Sequence, residues 1–94
     1  MPSADLPKGD KTAMHYVYFL KSSRNDDVYV GCTANIQIRL KRHNSGKVKS
    51  TQYYRPWKLL GFERFNTLSG ARRQEKFLKT GQQRELLKKR FRDR

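Results

Sequence analysis

Acidic residues are scarce: eight Asp and Glu stand against 22 Lys and Arg in 94 residues, a formal charge of +14. Such an excess repels itself and calls for a polyanionic partner, DNA first and RNA second. Cysteine is nearly absent. Cys32 alone can close no disulfide and build no cysteine-rich zinc site, which fits a reducing, cytoplasmic interior. No apolar run approaches the roughly 18 residues that span a bilayer, so no membrane partner is expected. The first residues, MPSADLPKGDKTAM, lack the apolar segment of a secretory signal. A chain this short leaves no room for a large enzyme with a deep cavity, so no small-molecule cofactor is expected.

What is present is aromatic. Five Tyr, five Phe and one Trp argue for a folded core rather than a disordered basic tail. Residues 1–14 hold two prolines and no periodicity and read as a loose leader, leaving 15–94 as a single domain. His15 to Lys21, HYVYFLK, and Val28 to Cys32, VYVGC, read as strands of an antiparallel hairpin across a polar turn. Asn35 can cap a helix from Ile36 to Asn44, with Ile36 and Leu40 as its buried stripe. Lys58 to Phe65 reads as a third strand. Asn66 or Thr67 can cap a helix from Leu68 to Lys79, and Gln82 to Phe91 forms a last basic helix. The expected class is α/β (α+β), a three-stranded antiparallel sheet flanked by helices in the order β-β-α-β-α-α.

Some residues sit where burial does not favour them. On the second helix Leu68, Ala71 and Leu78 share one face, and Glu75 falls within it. A carboxylate there must be paired, hydrogen-bonded or metal-bound; an arginine salt bridge is the plain alternative. Arg39 and His43 are four apart, line up on one face of the first helix and lean toward the sheet. On the hairpin, Tyr18 and Tyr29 are expected directly opposite one another, with Ser22 to Asn25 as the loop. Lys41, Arg42, Lys47, Lys49 and Arg55 supply cations for phosphates, and Tyr53 a surface for unpaired bases. Trp57 is expected to close the core.

Tyr16-Val17-Tyr18, followed eleven residues later by Tyr29-Val30-Gly31, resembles the motif pair of the GIY-YIG nuclease superfamily. Arg39, His43 and the Ala71-Arg72-Arg73-Gln74-Glu75 stretch extend that resemblance, above all to its small stand-alone bacterial members. It implies metal-dependent cleavage of a DNA phosphodiester. By that analogy Glu75 holds one divalent ion, Mg²⁺ or Mn²⁺. Tyr18 or Tyr29 activates or positions the water, Arg39 stabilises the charged transition state, and His43 assists proton transfer. The residue types suit the chemistry: a carboxylate is a hard ligand for such ions, and Arg is a permanently charged fork for phosphate oxygens. Two other classes stay open: a non-catalytic DNA- or RNA-binding module on the same fold, and a basic ribosome- or RNA-associated accessory protein.

The charge generates a first prediction. If about five phosphates are neutralised, log K for DNA falls with log salt at a slope near −4.5. Titrations across a salt series measure it, and weak, salt-insensitive binding removes the nucleic-acid reading.

Overall fold

A computed structural model describes residues 14–92; the expected leader lies almost wholly outside them. Strands β1 (His15–Ser22) and β2 (Val28–Thr33) are followed by helix α1 (Ile36–Asn44), strand β3 (Trp57–Phe65) and helices α2 (Leu68–Leu78) and α3 (Gly81–Arg90). The expected order and class are therefore present, with each boundary within one residue of the sequence reading. The basic loop after α1 holds one short 3₁₀ turn, Gln52–Tyr54.

The sheet is antiparallel in the order β2-β1-β3, so β1 is central and β2 is an edge. Centrality explains the near-continuous apolar run of β1, because both of its faces are covered. Val17 and Phe19 point to one side, into a cluster with Val28, Val30, Ala71, Leu78, Leu87 and Phe91 beneath α2 and α3. Tyr16, Tyr18 and Leu20 point to the other, against Ile36 and Trp57. Each fully buried aliphatic side chain contributes about 1.5–3 kcal/mol.

Local chemistry places the helices. Asn35 accepts from the Ile38 amide and caps α1. Thr67, rather than Asn66, caps α2 by accepting from the Gly70 amide. Gly46, at φ +82°, takes the left-handed conformation that turns the chain after α1. The loop back to β3 is pinned by Asn44, whose amide donates to the Trp57 carbonyl at 3.1 Å and whose carbonyl accepts from the Trp57 amide at 2.6 Å. Trp57 closes the core as expected, 6% exposed.

The hairpin register differs from the sequence reading. Tyr18 pairs with Gly31 and Tyr29 with Leu20, so the two tyrosines are diagonal neighbours rather than opposite partners. The loop is longer than Ser22 to Asn25: Ser22 Oγ accepts from the Arg24 and Asn25 amides, and Asn25 Oδ1 accepts from Asp27. Asp26 takes a positive φ of 59°. Leu68 also departs from expectation, 44% exposed at the start of α2 rather than on its packed face.

The register gives Gly31 its role. The Tyr18 ring lies across it, and a Cβ there would stand 2.3 Å from the Tyr18 hydroxyl. Gly31→Ala is expected to cost about 1–3 kcal/mol through overpacking. Gly61→Ala, where a Cβ meets nothing within 4 Å, is expected to change stability by less than about 0.5 kcal/mol. Urea denaturation of both variants measures the difference, and equal midpoints would refute the close approach.

Candidate active site

The site is built around the hydroxyl of Tyr18, a residue only 1% exposed in the middle of β1. Helix α1 crosses above it and delivers two side chains from successive turns. Arg39 Nε donates to Tyr18 Oη at 3.3 Å, and Tyr18 Oη lies 2.9 Å from His43 Nε2. On the far side of the imidazole, His43 Nδ1 lies 2.8 Å from Thr51 Oγ1.

The proton directions follow from what each group can still donate. Thr51 Oγ1 donates to the Val48 carbonyl at 3.4 Å, so its oxygen accepts from His43 Nδ1–H. A neutral imidazole then has only a lone pair left at Nε2, and Tyr18 O–H donates to it. The chain runs Arg39 to Tyr18 to His43 to Thr51, every link donating onward. Thr51 is itself held by its backbone, with Trp57 Nε1 donating to its carbonyl at 3.0 Å. Among the described residues no buried side-chain polar atom lacks a partner.

Electrostatics agree with this arrangement. Burial, followed by the nearby Arg39 charge, lowers His43 from 6.5 to about 4, so the ring is neutral at physiological pH. Burial pushes the Tyr18 phenol well above its ordinary value, only partly offset by the Arg39 hydrogen bond; the negative charge of Glu75 pushes in the same direction. The bond to Tyr18 holds Arg39 still more firmly in its charged form.

Tyr29 lies on the same face of the sheet, its ring 4.9 Å from His43, 6.2 Å from Tyr18 and 6.1 Å from Trp57. Glu75 comes from α2 at the β2 edge and keeps 22% of its side-chain surface exposed. Its partner is Lys79, one turn on, at 3.0 Å, rather than an arginine. The same ammonium stands 5.4 Å from the centre of the Tyr29 ring. Beside Glu75 a cavity of about 470 Å³ is lined by Cys32, Thr33 and Arg72.

The fold therefore gathers Tyr18, Tyr29, Arg39 and His43 into one cluster, with Glu75 at its margin. The remaining sequence candidates lie outside it. Lys41, Arg42, Lys47, Lys49, Tyr53 and Arg55 are exposed on the end of α1 and the following loop. Arg55 donates to the Gln52 carbonyl at 2.7 Å, and Tyr53 is 72% exposed. Thr51 escaped the sequence reading because it sits in a loop without periodicity. Lys79 stands at helical spacing from Glu75, a signal that was available.

The model for the GIY-YIG catalytic domain matches residues 14–90. The chain belongs to the GIY-YIG family. A UPF0213 protein of Staphylococcus haemolyticus is 40% identical over 77 residues, 81% of this chain and 93% of that protein. Another, from Syntrophus aciditrophicus, is 43% identical over 67 residues, 69% of this chain and 76% of that one. The solution NMR structure of a UPF0213 protein from Bacillus halodurans superposes with a TM-score of 0.50 at 32% identity, covering 79% of this chain and 81% of that one. GIY-YIG membership suggests a nuclease-like function and implies a nucleic-acid substrate.

The depressed His43 value makes stability pH-dependent. The unfolded ring takes up its proton near 6.5 and the folded ring only near 4, so the unfolded state binds more protons between those values. Stability is fully present above about pH 6.5 and falls as the pH drops toward 4, by up to about 3 kcal/mol. Urea titrations at pH 7 and pH 5 check this. His43→Gln is expected to flatten the profile, and an unchanged slope in that variant overturns the assignment.

Proposed function

We propose that this GIY-YIG protein is a divalent-metal-dependent endonuclease that hydrolyses DNA phosphodiester bonds. The observation that carries the reading is the directed hydrogen-bond chain through Tyr18, with the Glu75 carboxylate at its margin. A phenol held well above its ordinary pKa cannot wait as a phenolate at neutral pH. It can act in concert: Tyr18 Oη takes a proton from an attacking water while its own proton passes to His43 Nε2, 2.9 Å away. The neutral state of His43 keeps that lone pair open, and Thr51 fixes the tautomer that presents it. The water oxygen forms the new P–O bond as the bond to the leaving sugar oxygen breaks. That oxygen departs with the electron pair and takes a proton from solvent, and His43 then returns the proton it received to solvent through Tyr18. Arg39 offers a planar, always-charged guanidinium where negative charge gathers on the phosphoryl oxygens.

The metal fit rests on Glu75. Among the described residues no group of three or more His, Cys, Asp or Glu is placed to hold an ion, so a multi-ligand protein cage does not fit. A single carboxylate does fit Mg²⁺ or Mn²⁺, which keep several waters and share phosphate oxygens. Glu75 would hold the ion once Lys79 swings away from its oxygen. A bound ion would supply charge neutralisation at the phosphate and the leaving oxygen. The alternative, a non-catalytic nucleic-acid-binding module, is favoured by one specific observation, the Lys79 ammonium already paired with that carboxylate.

Plasmid nicking in Mg²⁺, Mn²⁺ and EDTA separates the two readings. Glu75→Gln, Arg39→Ala and Tyr18→Phe are each expected to lower the cleavage rate by about 10²- to 10³-fold. DNA affinity is expected to stay within about twofold, since one charge is a small part of a +14 field. Wild type inactive in both metals on branched, nicked and single-stranded DNA leaves the binding module. Cleavage retained by all three variants overturns the site.

A further inference from the structure

A second cleft, of about 490 Å³, opens along the edge of β2. Tyr29, Thr51, Tyr54 and Trp57 form one side of its lining, and Lys79 and Arg84 contribute cations. We propose that this cleft is a nucleobase subsite, which receives one unpaired base of a DNA strand whose backbone crosses the Tyr18–His43 cluster. The proposal rests on the nuclease reading above and adds a substrate class to it: DNA with an unpaired nucleotide beside the scissile phosphate.

Three features of the cleft support that occupant. Its volume falls within the range of about 300–1,000 Å³ of small-ligand sites, room for a single base and its sugar. Its walls combine π faces with cations, the pairing that grips single-stranded nucleic acid: rings stack on bases and ammonium or guanidinium groups follow the phosphates. Tyr54 is 46% exposed, so its ring is accessible for stacking. Tyr29 and Trp57 pack at 6.1 Å and make a fixed wall behind it. The third feature is continuity. Tyr29 belongs to both the cleft and the candidate active site, and Lys79 links Glu75 to the Tyr29 ring. A strand entering the cleft is thereby led to the cluster.

The floor adds polar recognition. Among the described residues β2 is an edge strand, and an edge presents backbone N–H and C=O groups that no neighbouring strand occupies. Asp27 also lines the cleft, held by Arg84 and Lys88 at 3.4 Å each, and its carboxylate can accept from an exocyclic amine. A paired base cannot use these groups, because its faces are stacked and its edge is engaged with the opposite strand.

The test uses short oligonucleotides carrying 2-aminopurine, titrated with the full chain in EDTA so that binding is read without cleavage. Three probes are compared: a single strand, a duplex with one unpaired 2-aminopurine, and the fully paired duplex. Wild type is expected to quench the two unpaired probes and leave the already dim signal of the paired one unchanged. Tyr54→Ala is expected to weaken binding of the unpaired probes about tenfold, with paired-duplex affinity unchanged, and Tyr54→Phe to bind as wild type. Tyr54→Leu, apolar but without a π face, serves in place of an Ala variant that fails to fold. Unchanged affinity of the Ala or Leu variant for the unpaired probes, or an equal loss on all three, overturns the subsite. Selective quenching by a wild type that cleaves nothing keeps the subsite and removes the nuclease reading. Cleavage without selective quenching removes the subsite alone.

Discussion

A hydroxyl carried on a buried side chain destabilises the fold by about 1–3 kcal/mol unless its partners are supplied. At Tyr18 they come from a single helix, and much of the molecule is arranged so that they can. α1 must cross β1 at a fixed height, which the Asn35 cap and Ile36 contact achieve. His43 must be oriented from behind, which brings the following loop inward so that Thr51 is 1% exposed despite lying between basic, solvated residues. That loop must then be held shut, which Trp57 does with its indole N–H and Asn44 with its amide. The phenol also needs room, and Gly31 provides it by having no side chain.

This ordering separates what a linear pattern reports from what it cannot. The strand and helix order was legible because β1 reads as a run buried on both sides and α1 and α2 open on capping residues. Arg39 and His43 could be set on one face because four residues make about one helical turn. The pairing of Tyr18 was not legible. Sliding the hairpin by two residues keeps every side chain on its own face, so hydrophobic alternation cannot distinguish the two registers. The choice is made by Ser22 and Asn25, whose side chains bond loop amides and lengthen the turn. Thr51 was invisible for a related reason: its contact with His43 exists only once the chain has doubled back, and nothing in its neighbours' spacing announces it.

At Glu75 the plain alternative, an arginine salt bridge, gives way to a lysine. The abundance of arginine made an arginine the natural counterion for a carboxylate on this side of α2. Proximity along the helix decided otherwise, because Lys79 is one turn away and needs no long-range fit to reach it. The same ammonium over Tyr29 means that whatever draws Glu75 away also alters the charge facing that ring. The acidic and aromatic parts of the site are thus mechanically linked by one flexible side chain.

Among the described residues β2 has an unpaired edge, which has a bearing on how copies of the chain treat one another. An unpaired strand edge is a template for sheet extension from molecule to molecule, the usual first step toward aggregation. Lys79 and Arg84 border this edge, and each copy brings a charge of +14, so two edges approaching in dilute salt repel before their backbones can pair. Neutralising that charge removes the protection. The edge therefore stays open to a polyanion and closed to its own kind, and the colloidal behaviour of the protein becomes a function of ionic strength rather than of its small core.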